Sequence, residues 1–270
     1  VFISIKPRFG DFLPNLIKEN IKKKLKKYSV AGIVPELLDL KYLYVEVTSK
    51  VYYNTNLAPS ATFVSSVVQN NVNRYAESTE LNKYGARLKY SKLLKLIDDS
   101  NDSITSNITT ISIRRDLRLT LDTFVEYQIG FGNQFHIKSM SGYNIRSSAF
   151  RVLNINTDVY LYDTPDSTGE KGQISLFSLD EGSSTPVIQR RNIGVIDYKK
   201  GRITLDPINI VSGKTKDNVD ILEISATPES NDIIGLQDLY LQLDSSFVDM
   251  VVDEISSGAD PSGSTYTVTT

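Results

Sequence analysis

The sequence predicts an α+β protein, with helices packed on a mixed sheet in the first half followed by a mainly β second domain. Three observations carry this. The stretch KYLYVEVTSKVYYN, from Lys41 to Asn54, alternates almost without a fault. Two segments of helical periodicity separate it from a second strand rich in isoleucine. From about Phe131 onward the helical period fades, and short strands with turn signals take over. Side chains alternate across a strand and recur every three or four residues on a helix face, so these patterns distinguish the elements.

Taken in order, VFISI opens the chain at Val1 as a short strand ending before Pro7. A chain that starts inside a strand, without an initiator methionine, reads as a portion of something longer. A helix follows: Pro14 suits a first turn, Leu13, Ile17, Ile21, Leu25 and Tyr28 recur near helical spacing, and Gly32 ends the run. Lys22, Lys23, Lys24, Lys26 and Lys27 take its remaining face. In the long strand, Leu43, Val45, Val47, Ser49, Val51 and Tyr53 share the side expected to meet the core. Ser60 caps the next helix, whose expected apolar stripe is Phe63, Val67, Val68 and Val72. Tyr90, Leu93, Leu94 and Ile97 form the stripe of another helix. Ile111, Ile113, Leu117, Leu119 and Leu121 then hold one parity, as in a strand with one buried face. Strands separated by helices indicate a sheet with helices laid on it.

A domain boundary is expected near Gly130 to Asn133, giving an α+β domain over 1–131 and a β-rich domain over 132–254. In the second, VIDY-KKG-RITL has a three-residue turn containing glycine, a hairpin signal. The last residues, 255–270, are rich in Ser, Thr and Gly and read as an extended tail.

Composition removes several function classes. The chain has 270 residues, 40% of them hydrophobic, enough for a real core. With 30 basic and 32 acidic residues the net charge is -2, so the basic excess of a nucleic-acid binder is missing. No apolar run approaches the length needed to cross a bilayer, and no signal peptide opens the sequence. There is no cysteine, so disulfides and thiolate metal sites are excluded.

Catalytic chemistry finds little to use. His136 is the single histidine and has no nucleophile or carboxylate near it in sequence, so it reads as structural. Asp98-Asp99-Ser100-Asn101-Asp102 imitates a calcium loop, but Ser103 and Thr109 stand where glycine and a bidentate glutamate belong. Gly130-Phe131-Gly132 lacks the third glycine and the following helix of a phosphate loop. The lysine run is the solvated face of one amphipathic helix. No pair of carboxylates is singled out, so no catalytic, cofactor or metal residue is assigned.

Surface chemistry is more informative. The outer face of the long strand carries Tyr42, Tyr44 and Tyr52 where lysine or glutamate would suffice. Tyrosine supplies contact area with a polar tip and is enriched at interface centres. The segment over 233–252, with Leu239, Leu241 and Phe247, is unusually apolar for a region so close to the end. These six residues are the candidate interface, and a two-fold homodimer is the expected assembly.

Several segments resemble a known family: IKPRFGDFLP, VAGIVPELLDLKYLYVEVTSKVYYNTN, LNKYGARLKYSKLLKLIDDSNDSITSNITTI and YQIGFGNQFHIKSMSGYNIRSSAF. They look like the large, ring-forming, baseplate-J-like wedge subunits of contractile-tailed, T-even-like bacteriophages. The likeness is best over residues 5 to about 150. It implies a C-terminal portion of a virion structural protein that joins wedges into a ring around the tail hub, self-associates, contacts other baseplate wedge proteins, and is assembled in the host cytoplasm. It implies no enzyme, no cofactor, and neither nucleic-acid nor membrane binding. The alternative is a receptor- or carbohydrate-binding module of a phage tail, because β-rich domains with exposed tyrosines suit sugar stacking. A hydrolase of the host envelope ranks last, for want of an acid/base pair.

Overall fold

In a computed structural model, which describes residues 1–7, 13–30, 32–137, 143–180, 185–236 and 238–258, the chain is mixed α/β and mainly β. It begins with a small unit in which β1 (Phe2–Ser4) and β2 (Glu36–Leu38) pair in parallel, connected through α1 (Asn15–Lys26). Pro14 stands one residue before this helix, at its N-cap. No residue of α1 is buried, so its apolar positions do not reach the main core.

The long alternating strand is β3 (Lys41–Tyr53). It is followed by α2 (Ala61–Ala76), β4 (Arg87–Leu88), α3 (Tyr90–Asp98) and β5 (Ile104–Arg118). Ser60 Oγ accepts from the Phe63 amide at 3.2 Å and caps α2. The helix buries Val64, Val68, Val72 and Tyr75, spaced by four, four and three. Phe63, expected on that stripe, is exposed. It sits one residue, about 100° of helix, from Val64. In α3, Leu93 and Ile97 are buried.

The remaining strands are β6 (Phe124–Gly130), β7 (Arg146–Ser147), β8 (Arg151–Val152), β9 (Tyr160–Pro165), β10 (Lys171–Leu179), β11 (Pro186–Asp197), β12 (Arg202–Ser212), β13 (Lys214–Lys216), β14 (Val219–Ala226), β15 (Ile233–Ile234) and β16 (Leu239–Val252). β11 and β12 form the expected hairpin, turning through Tyr198 to Gly201. Gly201 has φ +59°, and a Cβ there would come within 1.9 Å of the Asn133 carbonyl oxygen, so only glycine fits the turn. The closing helix α4 (Glu254–Ser257) takes up the start of the expected tail; residues 259–270 lie outside the described set.

Two sheets of six strands organise the molecule. One runs β13-β14-β5-β3-β16, with β7 also on β14. The other runs β6-β12-β11-β10-β9, with β8 also on β12. β3 is antiparallel to β5 and parallel to β16, whose partner residues lie almost two hundred positions later, Leu239 beside Lys41 and Val252 beside Tyr53. The first sheet therefore crosses the boundary expected near Gly130 to Asn133. At that place Phe131 and Phe135 are fully buried, edge to face at 5.0 Å between centroids. One contiguous core joins Leu43, Val68 and Leu93 to Phe131, Phe135 and Ile203.

Burial contrasts give a direct check. Leu93 is fully buried and Leu16 largely exposed. Leu93→Ala should destabilise the chain by about 2–5 kcal/mol. Leu16→Ala should stay within about 0.5 kcal/mol. Urea unfolding followed by circular dichroism measures both.

Candidate functional site

The tyrosine-bearing face of the first sheet is built by register. Tyr240 on β16 lies beside Tyr42, Gln242 beside Tyr44, and Arg114 on β5 opposite Tyr44. Tyr42 stacks on Tyr44 at 5.7 Å between centroids and meets Tyr240 edge-on at 6.0 Å. With Leu40 these three rings make a small second core. Lys6, shortly after β1, closes over the Tyr240 ring: its Nζ lies 4.5 Å above the ring and donates to Asn82 Oδ1 at 2.7 Å. The Tyr240 hydroxyl also donates to Asn82, and Tyr84 donates to the Ser4 carbonyl at 3.0 Å. Burial lowers the Lys6 pKa, as expected of an ammonium drawn onto aromatic surface.

Beside this lies a charge cluster. The Arg114 guanidinium donates from Nε to Asp116 Oδ1 at 2.9 Å, from Nη2 to Asp244 Oδ2 at 2.6 Å, and from Nη1 to Glu46. Lys216 Nζ reaches Asp116 Oδ2 at 3.1 Å. Both cations lie over the Tyr44 ring, at 4.7 and 4.8 Å. Burial alone would lower the Arg114 pKa, but Asp116 and Asp244 outweigh it and raise the value. The planar fork is thus held charged by carboxylates from three strands, β3, β5 and β16. Its neighbour Arg115 turns to the opposite face, donates to the Gly130 carbonyl, and leaves Nε buried without a partner.

A second buried acid serves the other sheet. Asp163 on β9 accepts from the Ile145 amide and from the Tyr198 hydroxyl, each at 2.7 Å. Burial, followed by the Asp163 carboxylate, pushes the Tyr198 pKa well above the ordinary tyrosine value. These bonds fix the segment before β7 against the second sheet.

Of the six candidate interface residues, Tyr42, Tyr44, Leu239 and Leu241 lie inside the chain's own packing. Tyr52 is half-buried, and Phe247 is 64% exposed. Leu239, Leu241 and Leu243 point from β16 into the main core, which absorbs much of the apolar excess read in 233–252. His136 stands at the surface, its side chain 45% exposed, with Nδ1 at 2.7 Å from Glu229 Oε2. Sequence reasoning missed Arg114 and its partners. The signal was present in Arg114-Arg115-Asp116, three charged residues inside a strand otherwise patterned for burial. Among the described residues no His/Asp/Glu group could hold a metal ion, and no helix is long and apolar enough to cross a membrane.

The described residues form a mainly β module whose buried polar groups tie strands to one another. Comparison with known proteins gives the kind. The family model described as baseplate structural protein gp6, C-terminal domain I, matches residues 1–38, and that of C-terminal domain III matches residues 41–116. The chain is 30% identical over 168 residues to baseplate wedge protein gp6 of Enterobacteria phage T4, covering 60% of this chain and 25% of that protein. It therefore spans about a quarter of the length of the curated relative it matches. These matches support a baseplate wedge protein, with the chain carrying sequence of its C-terminal domains. Such a protein is a component of the virion's tail baseplate.

Two outcomes follow from the buried groups. Arg114→Ala removes the cation shared by three carboxylates, of which Asp116 keeps another, Lys216, and should cost about 3–5 kcal/mol in urea unfolding, since breaking a buried pair leaves uncompensated charge. The raised Tyr198 pKa favours the neutral phenol in the folded state. Its contribution is complete below the unfolded tyrosine pKa of about 10 and is lost as pH rises above it. Thermal melts should accordingly fall on the alkaline side, and Tyr198→Phe should flatten that slope.

Proposed function

We propose that the chain is a structural part of the baseplate wedge that associates with further copies of itself, helping to close the ring that joins wedges around the tail hub, and that it contacts other wedge proteins and catalyses no reaction. The observation that carries this reading is the apolar surface of the N-terminal unit. Phe2, Leu16, Val30, Val34 and Leu38 are exposed around a two-stranded parallel sheet with one helix. Parallel pairs ordinarily have both faces covered, and an isolated two-stranded ribbon is marginal in water. A partner surface would complete it. Phe247 adds a second exposed apolar point on the edge strand β16. In this reading α2 and α3, laid on the β3–β5 sheet, form the rigid platform that holds both surfaces.

Static light scattering of the chain across concentration tests the proposal. The expected result is a mass above the monomer at tens of micromolar. Leu16→Glu combined with Val34→Glu should return it to monomer with an unchanged circular dichroism spectrum, whereas Phe247→Glu should weaken association less. A wild-type chain that stays monomeric throughout that range overturns the reading.

A further inference from the structure

A different part of the surface carries chemistry on which the proposed function does not draw. At the β9 edge of the second sheet, Tyr143, Tyr160, Tyr162 and Phe177 line a pocket of about 330 Å³. Tyr143 and Tyr162 are stacked at 5.9 Å between centroids, with planes 25° apart. Tyr160 and Phe177 lie at 5.4 Å, and Tyr162 meets Phe177 edge-on at 5.8 Å. One ring face of Tyr143 is thus occupied, yet the residue remains 57% exposed. Its backbone adopts φ +77°, a left-handed conformation that costs a tyrosine energy. That conformation lays one face of the ring on Tyr162 and leaves the other open to water.

Arg146 and Ser147 belong both to this pocket and to a groove of about 720 Å³ on the tyrosine-bearing side of the first sheet. Among the described residues the Arg146 guanidinium has no hydrogen bond or ion pair, and the Thr48, Ser225 and Thr227 side-chain hydroxyls in the groove have no partner. The groove's carboxylates are already engaged, Glu46 by Arg114 and Glu223 by Lys214 at 2.7 Å. The combined feature therefore offers an aromatic platform, one uncompensated cation able to take a carboxylate in bidentate fashion, and a row of free hydroxyls.

We propose that this pocket and groove bind an acidic oligosaccharide, with one sugar ring lying on Tyr143, a uronate carboxylate on Arg146, and further hydroxyls on Ser225 and Thr227. An acidic peptide is the competing occupant. The geometry disfavours it, because a peptide gains most by adding to a strand edge. The β9 edge is already closed by the Tyr143 amide donating to the Asp163 carbonyl at 3.3 Å and by the Leu161 amide donating to Ser147 Oγ at 2.9 Å.

The test is a titration of the 270-residue chain by calorimetry and NMR with three probes: a hyaluronan hexasaccharide, maltohexaose, and a polyglutamate peptide. Saturable binding of the hyaluronan probe, with perturbed tyrosine ring signals, is expected. Tyr143→Ala should weaken it by up to about tenfold, in keeping with the energy of an aromatic stacking contact. Arg146→Gln, a change at an exposed and unpaired side chain, should remove the preference for the acidic probe over maltohexaose. Failure of the hyaluronan probe to saturate overturns the proposal. So does unchanged affinity in both variants while circular dichroism shows them folded, or tighter binding of the peptide at the same residues.

Discussion

The parallel ladder between β3 and β16 is the constraint on which the rest depends. It brings residues almost two hundred positions apart side by side over twelve paired positions, Leu239 with Lys41 through Val252 with Tyr53. Without it β3 would be an edge strand, and Leu43, Val45 and Val47 would lose Leu241 and Leu243 as neighbours. Loop closure over such a span costs conformational entropy that must be spent before any contact rewards it. The ladder also determines which polar side chains meet on the opposite face. Parity puts Leu239, Leu241 and Leu243 into the core and leaves Tyr240 and Gln242 beside Tyr42 and Tyr44.

Arg114 reports on the same constraint from the polar side. Its three carboxylate partners come from β3, β5 and β16, so the cluster is complete only when all three strands are in register. A slip of one residue on β16 would turn Asp244 to the core face and bury it unpaired. It would also expose Leu241 and Leu243. The β3 tyrosines fit this frame, since Tyr44 takes two cations over its ring and Tyr42 packs on Tyr240.

Local structure was legible wherever a residue's neighbours in sequence decide its environment. The alternation of 41–53, the Ser60 cap and the glycine turn of the β11–β12 hairpin are of that kind. In the α2 stripe Val68 and Val72 are buried as expected, whereas Val64 and Tyr75 take the places expected of Phe63 and Val67, because only the spacing of Val64, Val68, Val72 and Tyr75 keeps to one face. Pairing between distant strands was not legible. Nothing local in 239–243 says that it will lie parallel to 41–45, so its leucines were read as contact surface when they are core. The change of grammar near Phe131 is real, but it marks where the chain passes between two sheets with Phe131 and Phe135 buried.

A cluster of ions in place of a hydrophobic patch has a physical consequence for an assembling protein. Apolar residues at Glu46, Arg114, Asp116 and Asp244 could pack with similar or greater stability, since taking charges out of water offsets much of their attraction. They would also leave the groove floor sticky toward any strand or ring that met it. Charged groups that satisfy one another within the chain keep that face wet and selective while the ladder beneath stays in register. Exposed apolar side chains lie elsewhere, among them Phe2, Leu16, Val30 and Val34 around α1 and Phe247 on β16. The two surfaces are separate, so the sheet is fixed by internal charge pairing whatever meets the exposed side chains of the N-terminal unit.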